Sequence, residues 1–170
     1  VQSKGKVEVT AADGSKQVVE AKYIVIATGG RSRELPNLKQ DGKRIIGYRE
    51  AMTLPKQPKS MVVMGSGAIG VEFAYFYATM GTKVTIVEFM ENIVPVEDED
   101  VSKQLNRSFK KIGIDIMTKS SVESIDTSGD LCKVKVKTEA GEKVLEAEVV
   151  LSAVGYTPNL EGIGLEELGI

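Results

Sequence analysis

The chain has 170 residues, no histidine and a single cysteine, Cys132. Those two absences exclude an internal disulfide, a Ser–His or Cys–His nucleophile and a histidine-liganded metal. No catalytic residue and no metal ligand is therefore assigned. Charge of one sign is scarce too, since 22 Lys and Arg against 24 Asp and Glu leave a net charge of −2 and a pI near 5.4. That balance gives no footprint for nucleic acid, and no lysine-rich run suggests a lipid surface. No apolar run approaches a membrane span or the layout of a signal peptide. The expectation is a cytoplasmic protein that binds neither nucleic acid nor membrane, with room for one core or one core plus pieces of a second.

What is present begins with a repetition. Residues 7–29 read VEVTAADGSKQVVEAKYIVIATG and residues 134–155 read VKVKTEAGEKVLEAEVVLSAVG. Val7, Val9 and Gly14 match Val134, Val136 and Gly141, and after a one-residue gap Glu20, Ala21 and Gly29 match Glu146, Ala147 and Gly155. Each segment reads as a hairpin followed by a continuous apolar strand that ends in glycine. Duplication of a nucleotide-binding domain explains the match; two generic hairpins are the alternative. Because the chain opens on Val1 and closes within the apolar pattern LEGIGLEELGI, both ends are expected to be cut from something longer.

Between the two copies the pattern alternates strand and helix. SMVVMG (60–65) has the apolar density of a buried strand, AIGVEFAYFYATMG (68–81) that of a helix closed by Gly81, and KVTIVE (83–88) that of a second strand. Parallel strands need a crossover helix, so this is a βαβ unit. EDEDVSKQLNRSFKKIG (97–113) starts acidic and finishes basic, as a helix dipole favours, and IDIM (114–117) should be the third parallel strand. A three-strand antiparallel excursion over about 121–149 then returns to the strand VVLSAVG. The fold class is α/β, a Rossmann-like parallel sheet with an antiparallel excursion.

The turn inside that unit, GSGAIG, carries the chemistry. Gly65 permits the tight turn, Gly67 lets the backbone approach a pyrophosphate, and Gly70 lets the helix pack on the strand; the phosphates would meet the free N–H groups of the helix start. Gly65, Ser66, Gly67, Ala68, Ile69, Gly70 and Val71 are thus candidate cofactor-binding residues. Glu88 ends the second strand 18 residues after Gly70, where a carboxylate can accept hydrogen bonds from an adenosine ribose. The alternative for Glu88 is a solvated strand end. NADP would want a cation just after this strand, whereas EFMEN offers Glu88 and Glu91, so the small-molecule partner is read as NAD.

VIATGG, GSGAIGVEF, VTIVE, AVGYTPN and the linking RIIGYREAMTLPKQPKS together resemble the pyridine nucleotide–disulfide oxidoreductases over nearly the whole chain, and within them most the dihydrolipoamide dehydrogenases. The resemblance implies an NAD domain inserted into an FAD domain. The pieces would be 1–52 from a flavin domain, 53–150 for NAD, and 151–170 leading back toward the flavin and central region. It also implies that Thr28, Gly29 and Gly30 lie beside FAD, Glu72 near the nicotinamide, the Val122 backbone near adenine, and Gly155 at the nicotinamide end. The whole protein would pass electrons from dihydrolipoamide through a disulfide and FAD to NAD, as a homodimer and as part of a 2-oxoacid dehydrogenase complex. The family's own flavin-binding glycine loop, C-x4-C redox pair and His–Glu pair are not in this sequence, and Tyr156 and Thr157 stand where an arginine commonly follows the glycine. The chain alone is therefore expected to be inactive. A stand-alone NAD-binding or redox-sensing module, or a piece of a mercuric, glutathione or coenzyme A-disulfide reductase, are the other readings.

The remaining features are structural. Cys132 sits in an alternating strand and is expected to pack. Phe73, Tyr75, Phe76 and Tyr77 are expected to be packing surface, and EDED (97–100) to serve the helix dipole and solvent rather than a metal.

Overall fold

A computed structural model describes residues 1–170, which form two compact units: Val1–Arg31 with Thr157–Ile170, and Ser32–Tyr156. Compactness is a separate criterion from the domain pieces expected at 1–52, 53–150 and 151–170. In the first unit the alternating residues form β1 (Lys6–Thr10) and β2 (Lys16–Glu20), antiparallel with Val7 opposite Val19. Asp13 Oδ1 closes their turn by accepting from the Ser15 N–H and hydroxyl.

The apolar run that follows does not become the expected strand. Residues 23–29 form no strand, and Val25 is 85% exposed. An all-apolar strand is the pattern of an inner parallel strand, which needs a neighbour on each edge and cover on both faces. This unit supplies neither.

In the second unit the same demand is met. β3 (Gly30–Ser32) begins in the first unit and ends in the second, and after it come β4 (Ile45–Ile46), α1 (Tyr48–Met52), β5 (Ser60–Met64), α2 (Ala68–Thr79), β6 (Lys83–Val87), α3 (Glu99–Lys111) and β7 (Asp115–Met117). The excursion is β8 (Ser121–Asp126), β9 (Cys132–Thr138) and β10 (Gly141–Ala147), and the chain returns through β11 (Val149–Ser152) to β12 (Tyr156–Pro158). A five-stranded parallel sheet runs β4-β11-β5-β6-β7, with β11 held between Ile45–Ile46 and Met61–Met64.

Both faces of that sheet are covered, which is why its strands can be apolar throughout. Met61, Val63, Val84, Ile86 and Leu151 pack on one side against Val71, Ala74 and Tyr77 of α2 and Phe109 of α3. Val62, Met64, Val87 and Val150 pack on the other against Cys132, Val134, Val136 and Ala147 of the antiparallel sheet. Cys132 is thus the packed residue its pattern indicated. The aromatic expectation holds in part. Tyr77 is buried and donates its hydroxyl to the Ala51 carbonyl at 2.6 Å, burial raising its pKa, whereas Tyr75 and Phe76 are about half exposed.

Helix ends follow their chemistry. Gly81, at φ 95, ends α2, and Thr82 N–H returns to the Tyr77 carbonyl. Asp98 caps α3 by accepting from the Asp100 N–H at 2.9 Å, with Glu99 and Asp100 in its first turn and Lys110 and Lys111 in its last. Arg44 ties the excursion to the sheet, donating to the carbonyls of Glu148, Gly129 and Asp130. Ahead of it, Asp41 is partly desolvated, which raises its pKa, but N–H donors from Lys43, Ile45 and Arg44 outweigh that and leave it lowered.

Candidate functional site

The C-terminal ends of β5, β6 and β11 open onto a cleft of about 730 Å³ within the Ser32–Tyr156 unit. Ligand crevices of open parallel sheets lie at this edge, and the volume falls in the range of small-molecule sites. Gly65 leaves β5 at φ 90, and a Cβ there would stand 2.6 Å from the Ala153 carbonyl oxygen at the end of β11. Gly70 lies on the first turns of α2, where a Cβ would run into the Gly65 carbonyl. Packing inside the protein therefore accounts for both of these glycines.

Gly67 is different. It is the N-cap of α2 at φ −66 and ψ −178, a conformation open to any residue, and a Cβ there would meet nothing within 4 Å. Nothing in the chain requires glycine at this position. The space a side chain would fill lies in the cleft, over the unpaired N–H groups of the helix start.

Glu88 is not the solvated strand end that was its alternative reading. It is 6% exposed; its Oε2 accepts from both the Ser66 N–H at 2.7 Å and the Ser66 hydroxyl at 2.6 Å, and its Oε1 from the Met90 N–H at 2.7 Å. A carboxylate has about four acceptor positions, so roughly one is left for a ligand. The carboxylate thereby holds the glycine loop as well as facing the cleft. On its other side the Ser66 carbonyl accepts from the N–H of Val94, a branched residue at φ 44, a backbone strain of about 1–3 kcal/mol that the surrounding contacts must hold in place.

Most of the expected residues meet here. Gly65, Ser66, Gly67, Ala68, Ile69, Glu88, Val122 and Gly155 all line the cleft. Val122 sits at an irregularity in the β8–β9 pairing, a device that re-aims a strand. Gly70 and Val71 are buried behind the loop in α2, and Glu72 is on the exposed side of that helix, outside the cleft lining. Thr28, Gly29 and Gly30 belong to the other unit, where the Thr28 and Gly29 carbonyls accept from the side chain and the N–H of Asn159.

Two residues were missed from the sequence. Arg33 lines the cleft from more than thirty positions before the glycine loop, beyond the reach of any spacing rule. Lys119 reaches Glu91 at 2.8 Å and donates its N–H to the Met90 carbonyl. A cation thus does stand beside the EFMEN turn, paired to Glu91, which raises the lysine pKa and lowers that of the glutamate.

The sequence pattern of the pyridine nucleotide-disulphide oxidoreductase family matches residues 1–170. The chain belongs to that family. Relatives within the family include a dihydrolipoyl dehydrogenase from Chlorobaculum tepidum, 44% identical over 165 residues, 96% of this chain and 35% of the relative. A leghemoglobin reductase from Vigna unguiculata is 40% identical over 170 residues, 99% of this chain and 32% of the relative. Among solved members, LpdA from Mycobacterium tuberculosis superposes with a TM-score of 0.84 at 32% identity, covering 100% of this chain and 37% of that one. The chain thus spans about a third of the length of the family members it matches. No helix in it is long and apolar enough to cross a membrane.

Proposed function

We propose that this chain is the NAD-binding part of a flavin-dependent disulfide oxidoreductase of the dihydrolipoamide dehydrogenase type. The single observation that carries the reading is Gly67, a glycine with no reason inside the protein, standing between two glycines that have one. A dinucleotide pyrophosphate fits that space, because its oxygens can take up the free N–H groups of α2 only where no side chain intervenes. The adenosine end would lie toward Glu88 and Val122, and the nicotinamide end toward Gly155. When bound, the nicotinamide supplies a two-electron acceptor; the residues of this chain only hold and orient it.

NAD rather than NADP is favoured by the Glu88 carboxylate and by the pairing of Lys119 with Glu91, which leaves no free cation in that turn. The family name and the dihydrolipoyl dehydrogenase relatives support the disulfide oxidoreductase reading, as does the match between residues 7–29 and 134–155. The assignment of Thr28, Gly29 and Gly30 to FAD, the Glu72 contact, the homodimer and membership of a 2-oxoacid dehydrogenase complex rest on the resemblance alone.

The test is calorimetric titration of the native chain and Gly67→Val with NADH and NADPH. Tight NADH binding, weaker NADPH binding and loss of both in Gly67→Val at an unchanged unfolding midpoint are expected. Equal NADH affinity in the two proteins would return the glycine loop to a plain strand–helix turn.

A further inference from the structure

We infer that Arg33 positions the phosphates of the dinucleotide, an inference that rests on the NAD-binding reading of the cleft. The side chains that carry charge into the cleft are Arg33 and Glu88. Glu88 is buried and committed to Ser66 and Met90. Arg33 is the opposite case. Its backbone N–H is fixed to the Gly155 carbonyl at 3.0 Å, and its stem passes beside Gly155. Its side chain is exposed and its guanidinium pairs with no carboxylate or carbonyl of the chain. The base of the side chain is anchored while the head remains free.

A charge balance shows what the free head is for. The stretch from Gly65 to Thr82, the glycine loop and all of α2, contains no lysine or arginine. The helix start supplies the equivalent of roughly half a positive charge. A pyrophosphate diester brings two negative charges into a cleft that already holds the Glu88 carboxylate. The helix end alone leaves most of that charge unbalanced. A guanidinium offers a planar fork of donors suited to phosphate oxygens, and Arg33 is the one cation placed to use it. Any ligand of the cleft that carries a pyrophosphate should feel Arg33; a bare nucleoside should not.

The experiment titrates native chain, Arg33→Leu, Arg33→Lys and Lys39→Leu with ADP-ribose and with adenosine at several salt concentrations. Lys39 is exposed and outside the cleft lining, so its variant controls for net charge. Arg33→Leu should weaken ADP-ribose about tenfold at low salt, the size of one charge-assisted contact, and flatten its salt dependence. Adenosine affinity and the unfolding midpoint should not move. Arg33→Lys should keep the salt dependence with intermediate affinity, and Lys39→Leu should match the native chain. If Arg33→Leu binds ADP-ribose as well as a native chain that itself binds it, the role of Arg33 is overturned while the cleft reading stands. A native chain that binds neither ADP-ribose nor NADH would overturn both.

Discussion

Residues 7–29 and 134–155 carry one pattern and meet two fates. Val9 and Val136 are matched positions in matched hairpins, yet Val9 is 49% exposed and Val136 fully buried. Counting back from the matched glycines, Val25 stands where Leu151 does; one lies in a segment without a strand and the other in an inner strand of a five-stranded sheet. The second copy has β4 and β5 on its edges and a helical layer on one face, while its own hairpin covers the other. The first has none of these within its unit. An apolar run therefore states what a segment needs around it, and it becomes a strand only where the chain meets the need.

The largest expected effects come from trading atoms at these matched positions. Leu151→Ala removes a fully buried side chain from the core shared by the sheet and α2 and should cost about 2–5 kcal/mol. Val25→Ala, at an exposed position, should stay within about 0.5 kcal/mol. Urea denaturation of both variants measures the difference. Equal losses would mean that the first copy is as well packed in solution as the second.

The second copy also ends against the glycine loop, since a Cβ on Gly65 or Gly70 would crowd Ala153 or the Gly65 carbonyl. Gly70→Ala should therefore destabilise by about 1–3 kcal/mol, as overpacking does. Gly67→Ala, with open space and an ordinary φ, sets a smaller unfolded-chain entropy against a poorer N-cap and should stay within about 0.5 kcal/mol of native, while weakening NADH. Thermal unfolding and a binding titration on the same samples separate the two. A Gly67→Ala variant that lost stability as Gly70→Ala does would show that the middle glycine is structural.

The order of elements from β5 to β11 and the glycine loop were legible because each rests on local rules: the period of apolar residues, Gly81 after a helix, acids at the start of α3 and lysines at its end. Glu88 was legible by its distance from Gly70, but its bonds to Ser66 were not, because they depend on how the loop folds back over the strand end. That clasp changes one obvious experiment. Glu88→Arg would remove the acceptor of the Ser66 N–H and hydroxyl along with any ribose contact, so lost NADH binding in that variant would not by itself identify a ribose ligand. Arg33 and Lys119 were invisible for a related reason. Each reaches its place through pairing between strands and loops distant in sequence, Arg33 through the Gly155 carbonyl and Lys119 through the Met90 carbonyl. The missing strand at 23–29 is the converse error, a local pattern read as sufficient when its partners decide the outcome.

The smallest expected effect concerns what holds the chain just beyond each copy. Gly155 itself, at the end of the second copy, is held by a backbone bond, its carbonyl accepting from the Arg33 N–H, which does not titrate. After Gly29 the first is secured by Arg31, whose guanidinium reaches Glu161 at 2.6 Å and Asn159 at 2.8 Å. The Arg31 hydrogen bond holds the Glu161 carboxyl down to about 2, from an ordinary 4.5. A depressed carboxyl stabilises the folded form above its unfolded pKa and ceases to do so as pH falls through the folded one, so this contribution should be full above about 4.5 and gone near 2. Both side chains are half exposed or more, so salt should screen the pair and keep the effect small. The measurement is the unfolding midpoint of native chain and Glu161→Gln across that acid range, at low and high salt. The gap between them should close as pH falls toward 2, and should narrow at all pH values in high salt. A gap that persists at the acid end would mean that Glu161 acts through packing rather than charge, and that neither copy is anchored by a titrating group.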